Sequence, residues 1–515
     1  MAGSFSCRIM KAVAEASSAQ KATTIQLIFA TASLFILYKL VYPFLFSPVR
    51  HIPGPWYARL SKLPLQYATY MRRRSSYASN LIRKYGPIVV IAPDQIHTTD
   101  DTAMKTIYDR TSLKTSFYTQ MGSWKGVTST LGFVDYASAA PTRNNLIQCF
   151  QNKNLATLVE NVDSHVRDFI SLLARSAKKD EKLDGVVVFR LLALDIVTDV
   201  LWGEENRLLS DVSNKTPDLL RRFHAFSTWN AMKSFIPGAD LYVKYFGNTK
   251  WRQLRNDCSD MDVTAREALD RWTNNEDCRR EKDVLSMLQA MNSAEDPKKR
   301  VPSDHIPAYM VEMLAAGSST TSHTAAFTCW LLTRNGAAQD RLHEELVQAF
   351  PDAEDMDMRK TRDLDYLDYT IRETMRMYPM IPGPLERFLG KEIKVSGMSV
   401  PVGVVASTAA CDQGRLEDVF PEANQWKPER WLEADDRMKL NWTPFGYGSR
   451  ACPGSNLAMT ELKYMIGAIF RRFKVVVPPG HEQDTLELAD VFAAGSKTGH
   501  VWLKFEERIK RTKCR

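Results

Sequence analysis

The sequence predicts a mainly α-helical protein with a minor β part, preceded by a membrane anchor. Three observations support this fold class: an apolar run near the N-terminus, long helical patterns through the middle, and short strand-and-turn patterns in the last third. The chain has 515 residues, of which 44% are hydrophobic and 25% are charged, an ordinary globular composition. A chain of this length buries a large core without needing disulfides.

The first predicted element is the anchor, residues 22–46, which follows a short tail, residues 1–21. Between Lys21 and Arg50 the only charged residue is Lys39, whose long side chain can reach the membrane interface. The run is long enough for a helix that spans a hydrocarbon core of roughly 30 Å. A cleaved signal peptide is the alternative, but no small-residue cleavage site is visible. The distribution of basic residues favours a cytosolic position for the globular body, residues 47–515.

The globular body begins with a stiff elbow and continues mainly as helices. The elbow is "HIPGPW", residues 51–56, which the prolines keep non-helical. "YGPIVVIAP", residues 85–93, is a short apolar run bounded by Gly and Pro, which predicts a strand. Helical patterns dominate residues 154–290, and no internal repeat is present.

The longest helix is predicted from Asp304 to Arg334, with Ser303 as its N-cap and the Asn-Gly pair 335–336 at its end. Its centre, "MLAAGSSTTSHTAAF", is poor in charge and rich in small and hydroxyl residues, so it must be buried with something packed close against it. A second helix is predicted over 337–350. Further on, "EIKVSGMSVPVGVVAS" predicts a hairpin that turns at Gly397.

Charge and cysteine usage narrow the possible functions. The net charge of +8 is modest, and the basic residues form no long run and no aromatic-basic motif, so no nucleic-acid partner is expected. A basic patch for an acidic protein partner or for anionic membrane lipid fits better. The eight cysteines are scattered without a C-x-x-C pair, which indicates a reducing compartment in which most are buried and inert.

The stretch "FGYGSRACPG", residues 445–454, places Cys452 on a glycine-rich turn just ahead of an amphipathic helix. No further Cys or His lies near enough in sequence to suggest a zinc site. A thiolate can, however, hold haem iron as the one axial protein ligand. The three glycines would let backbone amides approach the sulfur without crowding a flat macrocycle. They are Gly446, Gly448 and Gly454.

Three neighbours of the cysteine support the same interpretation. The helix that follows directs its N-terminal end at the sulfur, which favours the anion. Arg450 supplies a cation suited to a haem propionate, and Phe445 can cover the other side of the sulfur. We therefore predict a haem site with Cys452 as the metal ligand, against the alternative of a buried cysteine on a tight turn.

This stretch fills every fixed position of Phe-x-x-Gly-x-Arg-x-Cys-x-Gly and resembles the haem-binding loop of the cytochrome P-450 superfamily. "AAGSSTT", residues 315–321, resembles the family's oxygen-binding groove, and "ETMR", residues 373–376, its Glu-x-x-Arg helix. "KPERW", residues 427–431, resembles its Pro-Glu-Arg segment. The resemblance covers residues 20 to 505 and is of the microsomal class. It implies a triangular helical prism with a long central helix and small sheets behind a transmembrane helix, with 47–515 as the haem-thiolate catalytic domain.

The resemblance also implies structural and haem-contacting roles. Glu373 and Arg376 share a helix face at i,i+3. They would form a buried network with Arg430 that holds the haem-side loop, where the alternative is a solvated surface pair. Arg387 stands where the family has a propionate contact, with a plain surface arginine as the alternative. Gly317 would let the central helix approach a bound ligand closely.

On the oxygen side, the candidate catalytic residues are Thr320 and Ser319. The resemblance implies that Thr320 hydrogen-bonds dioxygen and a water during proton delivery; the alternative is a bond back to its own i−4 carbonyl. Ser319 replaces the usual acid, so protons would pass through its hydroxyl and water, or coupling would be lower. Upstream, the comparable cationic helix keeps only Arg143, so propionate neutralisation is expected to rest on Arg387 and Arg450.

The predicted function is a haem-thiolate monooxygenase that inserts one oxygen atom of O2 into a small apolar substrate. The cofactor would be haem b. The chain has no flavin or dinucleotide fingerprint, so electrons are expected from NADPH through a separate flavoprotein reductase. The last third resembles fungal enzymes of secondary metabolism, and the anchor and the microsomal resemblance imply a single-pass protein of the endoplasmic reticulum membrane. The residues that stand where the family lines its pocket suggest an apolar substrate such as a terpenoid or polyketide. The predicted substrate pocket comprises Tyr118, Trp124, Met313, Leu385 and Phe492.

Two alternatives remain open from the sequence. One is a haem-thiolate isomerase or dehydratase that needs no reductase, and the other is a non-catalytic haem-binding sensor or scaffold. The presence of Thr320 argues against the first, and the groove from Gly317 to Thr320 argues against the second.

Overall fold

The computed structural model describes residues 24, 26–27, 29–124, 127–204, 206–211, 221–222, 225–226, 228–229, 233, 238–274, 283–292, 303–354, 356–490 and 492–508. The predicted tail, residues 1–21, and part of the predicted anchor, residues 22–46, lie outside this set. Within the described part of the chain, no helix combines the length and the apolar character that crossing a membrane requires.

Helices form most of the described protein, as predicted. Their bounds are Trp56–Leu60, Leu63–Tyr70, Arg74–Tyr85, Asp101–Ile107, Ser116–Gly122, Tyr136–Cys149, Asn152–Lys178, Gly185–Trp202, Ala239–Phe246, Thr249–Asn274, Val284–Asn292, Ile306–Arg334, Gly336–Ala349, Met358–Thr361, Asp365–Met377, Ala410–Gln413, Asp436–Asn441 and Ser455–Arg472. Short 3-10 turns cover Leu208–Asp211, Ser303–His305, Pro428–Glu433 and Gly448–Arg450.

The strands are short and numbered here in chain order. They are β1 Ile88–Ala92, β2 Gln95–Thr98, β3 Leu113–Lys114, β4 Ser123–Trp124, β5 Val127–Thr128, β6 Lys182–Asp184, β7 Arg387–Phe388, β8 Ile393–Val395, β9 Met398–Val400, β10 Val405–Ser407, β11 Phe473–Val476, β12 Leu488–Asp490, β13 Ala494–Ser496 and β14 Trp502–Glu507. One five-stranded sheet has the order β1-β2-β10-β7-β3, and a three-stranded sheet has the order β11-β14-β6. The pairs β12-β13, β4-β5 and β8-β9 form two-stranded sheets.

The central helix, Ile306–Arg334, packs along the helix Gly185–Trp202 in the middle of the molecule. The latter is mostly apolar and buried along nearly its whole length, although it includes the charged residues Arg190, Asp195 and Asp199. Its N-cap residue is Asp184, whose side chain accepts from the Val186 N–H at 3.0 Å. It ends at Gly203, whose left-handed backbone (φ 72°) suits a helix C-terminus. Both helices contribute residues to the wall of the cavity described below.

The elements predicted around the site are confirmed with small shifts in their bounds. The central helix begins at Ile306 rather than Asp304, because Ser303–His305 forms a 3-10 turn before it. The strand in the Gly/Pro-bounded apolar run is β1. The hairpin β8-β9 turns through Ser396 and Gly397, which both adopt positive φ (49° and 79°).

Candidate active site

A cavity of about 1030 Å³ lies between the central helix, the cysteine loop and strand β7. It is at the upper end of ordinary ligand pockets, which measure roughly 300–1,000 Å³. Its wall includes most of the predicted site residues: Tyr118, Met313, Gly317, Ser319, Thr320, Leu385, Arg387, Phe445, Gly446, Arg450, Cys452, Gly454 and Phe492. The side chain of Trp124 lies outside the described residues, so its predicted place in the pocket stays a prediction.

The cysteine loop folds back on itself through backbone hydrogen bonds. The Cys452 N–H donates to the Phe445 carbonyl at 2.8 Å, and the Gly446 N–H donates to the Thr443 carbonyl at 3.0 Å. Gly446 and Gly448 both have φ 72°, a conformation that other residues rarely adopt. The loop therefore needs glycine at these two positions for its backbone shape.

Two glycines of the loop differ in what surrounds them. A Cβ on Gly448 would lie 2.3 Å from the Tyr108 carbonyl oxygen, so this glycine allows close packing on Tyr108. The predicted role of Gly448 beside the sulfur stays a prediction, and its close packing on Tyr108 is a second reason for glycine at this position. A Cβ on Gly454 would meet nothing within 4 Å, although Gly454 lies in the cavity wall. Space for a flat group is thus left beside Gly454.

The Cys452 side chain is exposed, and because it forms part of the cavity wall, it is exposed to the cavity. Burial raises the pKa of the Cys452 thiol. A hydrogen bond from the Gly454 N–H and the charge of Arg143 lower this pKa. The other four cysteines of the described residues are all buried: Cys149, Cys258, Cys329 and Cys411. This contrast supports the prediction of one functional thiol among inert ones.

Four cations share the wall of the cavity near the loop: Lys114, Arg143, Arg387 and Arg450. Burial and the nearby charges of Arg387 and Arg143 lower the pKa of Arg450 to about 10. Burial, together with Arg387 and Arg450, holds the pKa of Lys114 well below its usual value. Clustered cations in a protein interior are costly unless an anion accompanies them. The two propionates of haem b supply such charges, so this donor set fits the predicted cofactor.

Hydrogen bonds fix the positions of these cations. Arg387 donates to the Tyr118 hydroxyl at 2.9 Å, and Lys114 donates to the Leu131 carbonyl at 2.8 Å. Arg143 donates to the backbone of the cysteine loop at Ala451. Lys114 and Arg143 thus stand in the same cavity wall as Arg387 and Arg450, and the expectation that neutralisation rests on Arg387 and Arg450 stays a prediction.

Sequence reasoning missed Lys114, which lies in strand β3 and is only 5% exposed. A lone lysine among hydroxyl residues resembles a surface residue, and no local pattern places it in a cavity. Sequence reasoning also missed Glu312, whose carboxylate accepts from the N–H groups of Thr130 and Leu131, each at 2.9 Å. The sequence did hold one indication of a functional role for Glu312, because it is a single acidic residue in an otherwise apolar part of the central helix.

The central helix places Thr320, Ser319 and Gly317 in the cavity wall. The Thr320 hydroxyl donates to the Ala316 carbonyl at 2.7 Å, which is the backbone bond considered as the alternative. A Cβ on Gly317 would lie 2.9 Å from a methyl group of Val197, so the close approach that this glycine allows is between two helices. The ligand-approach role of Gly317 and the oxygen-side roles of Thr320 and Ser319 stay predictions.

The Glu373–Arg376–Arg430 network has the predicted geometry. Arg376 and Arg430 bind the Glu373 carboxylate at 2.8 and 2.9 Å, and both Glu373 and Arg376 have fully buried side chains. Arg376 also donates to three backbone carbonyls, those of Gly414, Ala423 and Gln425. The network thus ties the helix Asp365–Met377 to the segment that leads toward the cysteine loop, and the surface-pair alternative is wrong.

A thiol exposed to a cavity fits the iron ligand of a haem-thiolate protein, and the cations clustered beside it fit the haem propionates. The family model described as cytochrome P450 matches residues 53–501, and the chain belongs to this family. It is accordingly a monooxygenase with haem b as its cofactor and a redox partner that supplies electrons.

The relatives come from fungi. The chain is 27% identical to the cytochrome P450 monooxygenase acrD of Aspergillus aculeatus over 464 residues, covering 86% of this chain and 88% of the relative. It is 27% identical to the cytochrome P450 monooxygenase sdnF of Sordaria araneosa over 503 residues, covering 92% and 91%. It is 26% identical to the benzoate 4-monooxygenase bphA of Aspergillus niger over 488 residues, covering 88% and 93%.

Proposed function

We propose that this monooxygenase oxidises a small, largely apolar molecule of fungal secondary metabolism, of the terpenoid or polyketide class. The observation that carries the proposal is the apolar part of the cavity wall. Met313, Leu385 and Phe492 line it, and Phe492 packs against Phe117 and Tyr118 with ring centroids 5.9 and 6.2 Å apart. An apolar wall of this kind favours a hydrophobic substrate through the area it removes from water.

The residues around the cavity are assigned the following roles. Cys452 would hold the haem iron, and the four cations would hold the propionates. When bound, haem b supplies the redox chemistry that activates dioxygen. Thr320 and Ser319 lie on the helix face at the cavity and would hold and pass protons through their hydroxyls, because no acidic side chain precedes Thr320. Phe445 lies at the cavity wall beside Cys452 and would shield the sulfur from water.

This function is tested first by a reduced, CO-bound difference spectrum of the purified protein, which separates a haem-thiolate enzyme from other haem proteins. Adding NADPH and a fungal P450 reductase should then give consumption of NADPH that increases with substrate. Turnover of substrate without reductase would favour the isomerase or dehydratase alternative. A haem-thiolate spectrum without turnover of any apolar substrate would favour the sensor.

We also propose that residues 22–46 anchor the enzyme in the endoplasmic reticulum membrane, with residues 47–515 as a catalytic domain in the cytosol. Residues 29–45 are helical, and apolar side chains along them are largely exposed, including Leu34, Phe35 and Ile36 at 66, 61 and 57%. Further exposed apolar side chains follow at Trp56, Leu63, Tyr67 and Tyr70. Contiguous exposed apolar surface of this kind marks a site of contact with lipid or protein.

Deletion of residues 1–46 is expected to move the protein from the membrane fraction toward the soluble fraction, because it removes the proposed anchor. Some peripheral attachment through Trp56 and its neighbours should persist and be released by carbonate. The measurement is fractionation of cell lysates before and after high-salt and carbonate washes. Unchanged fractionation after both washes would contradict the single-anchor proposal.

A further inference from the structure

The turn of the hairpin β12-β13 forms part of the cavity wall. Phe492 is the middle residue of the three that connect Asp490, at the end of β12, to Ala494, at the start of β13. Phe492 lines the cavity, and its ring packs against the rings of Phe117 and Tyr118. A shift of this turn would therefore change the shape of the pocket.

The side chain of Asp490 fastens this turn to the helix Arg74–Tyr85. Asp490 is only 1% exposed, and its carboxylate accepts from the Ser75 N–H at 3.0 Å and from the Ser75 hydroxyl at 2.6 Å. The first N–H groups of a helix have no partner within the helix, and this end of a helix favours a negative charge. A carboxylate from a hairpin far away in sequence therefore caps this helix.

Backbone hydrogen bonds hold both strands of the hairpin beside the turn. The Asp490 N–H donates to the Arg72 carbonyl at 3.0 Å, and the Ala494 N–H donates to the Met380 carbonyl at 2.8 Å. The bonds between Ser75 and Asp490 differ from these because they involve side chains. Substitution can therefore remove them while the backbone bonds stay in place.

The residue before Ser75 supports the other ring of the aromatic contact. The guanidinium carbon of Arg74 lies 5.0 Å from the centroid of the Phe117 ring, and the guanidinium binds the Glu386 carboxylate at 3.0 Å. Glu386 also accepts from the Thr115 hydroxyl at 3.1 Å, just ahead of the helix that carries Phe117. Two consecutive residues of one helix thus hold the two rings of the aromatic pair.

We propose that Ser75 and Asp490 are positioning residues that set substrate specificity by fixing where Phe492 stands in the cavity wall. This inference rests on the proposed function, because it takes this cavity as the site where the substrate binds. With the pair intact, the turn is fixed and Phe492 limits the space open to a bound molecule. Without the pair, the ring can move away from Phe117, and the pocket changes shape.

The test uses azole ligands of the haem iron, which report on the cavity without a known substrate. Imidazole is the small reference, and the probes are 4-phenylimidazole, 1-dodecylimidazole and miconazole, each titrated into purified holoenzyme and followed by its spectral shift. The measured quantity is the affinity of each probe relative to that of imidazole. Phe492→Ala should change this ratio for the probes that reach the ring. Ser75→Ala and Asp490→Asn should change it for the same probes and in the same direction by about 5-fold, the scale on which residues of one contact network couple.

Matched variants separate positioning of Phe492 from a general loss of packing. Ser79 lies one turn further along the same helix and donates to another buried carboxylate, that of Asp412. Ser79→Ala should therefore leave every ratio as in the wild-type protein, and Ser75→Thr should do the same because it keeps the hydroxyl. In the double variant Ser75→Ala with Phe492→Ala, the ratios should equal those of Phe492→Ala, because the ring that Ser75 positions is gone.

Three results would overturn the inference: Phe492→Ala changes no ratio, Ser75→Ala and Asp490→Asn act no differently from Ser79→Ala, or Ser75→Ala changes the ratios equally with and without Phe492. If Asp490→Asn does not bind haem, Ser75→Ala and the double variant still decide. Failure of the proposed function would appear separately, as absent NADPH-dependent turnover of any apolar substrate by the wild-type protein, which the azole ratios do not measure.

Discussion

Cys452→Ser is expected to abolish haem-thiolate ligation and all monooxygenase activity. A serine hydroxyl is not deprotonated near neutral pH, so it cannot replace the thiolate as a ligand. Among the described residues, no other cysteine is exposed to the cavity, so no second thiol can take over. The reduced, CO-bound spectrum should lose its red-shifted band, and product formation with reductase should fall to background.

A matched control separates loss of the ligand from a general effect of removing sulfur. Cys329 is fully buried in the central helix, and burial raises the pKa of its thiol, which makes it inert. Cys329→Ser should keep the CO band and most of the activity. A normal red-shifted band in Cys452→Ser would contradict the assignment of Cys452, and circular dichroism of both variants would show that each is folded.

The sequence was sufficient to locate the cysteine loop, because its chemistry lies within ten consecutive residues. Local backbone geometry alone sets how the glycines, the thiol and the following helix are placed relative to one another. The local pattern could not show which residue packs against each glycine. Gly448 packs on Tyr108 and Gly317 packs on Val197, and both neighbours are distant in sequence.

The electrostatic part of the site was predictable only in part, for the same reason. Arg387 and Arg450 were recognised from motifs, whereas Lys114 reaches the cavity through strand β3, the partner of β7. The i,i+3 spacing of Glu373 and Arg376 alone is compatible with a surface pair worth about 0.5 kcal/mol, and only the family resemblance implied their burial. Tertiary packing makes this pair fully buried, and in that setting removal of one partner typically costs about 3–5 kcal/mol.

Thr320→Ala is expected to uncouple NADPH oxidation from product formation while leaving haem binding and substrate affinity nearly intact. The Thr320 hydroxyl donates its hydrogen to the Ala316 carbonyl, so its lone pairs can accept a hydrogen bond from a water in the cavity. Loss of a positioned proton-transfer group typically lowers a rate by about 10²–10⁴-fold when no water substitutes. Product per NADPH should fall and hydrogen peroxide should rise, both measured with the true substrate and reductase.

Thr324→Ala is the matched control for this prediction. Thr324 lies one turn further along the helix and makes the same kind of bond, to the Thr320 carbonyl at 2.8 Å. If the effect of Thr320→Ala came only from losing a side-chain bond to the helix backbone, both variants should uncouple alike. We expect Thr324→Ala to keep near-normal coupling, because its hydroxyl is a turn away from the proposed proton path.

Ser319→Asp tests the complementary half of the same argument. Ser319 stands where an acid is usual, so a new carboxylate should raise product per NADPH if the missing acid limits proton supply. The cost is a carboxylate in a largely enclosed site, which is unfavourable unless it is paired. His323 donates to the Ser319 carbonyl and Arg190 donates to His323, so a cation lies two hydrogen bonds away from this residue. Higher product per NADPH in Ser319→Asp, together with lower product per NADPH in Thr320→Ala, would establish the hydroxyl pair as the proton path. Wild-type product per NADPH in Thr320→Ala would mean that Thr320 is only a packing residue and that protons arrive by another route.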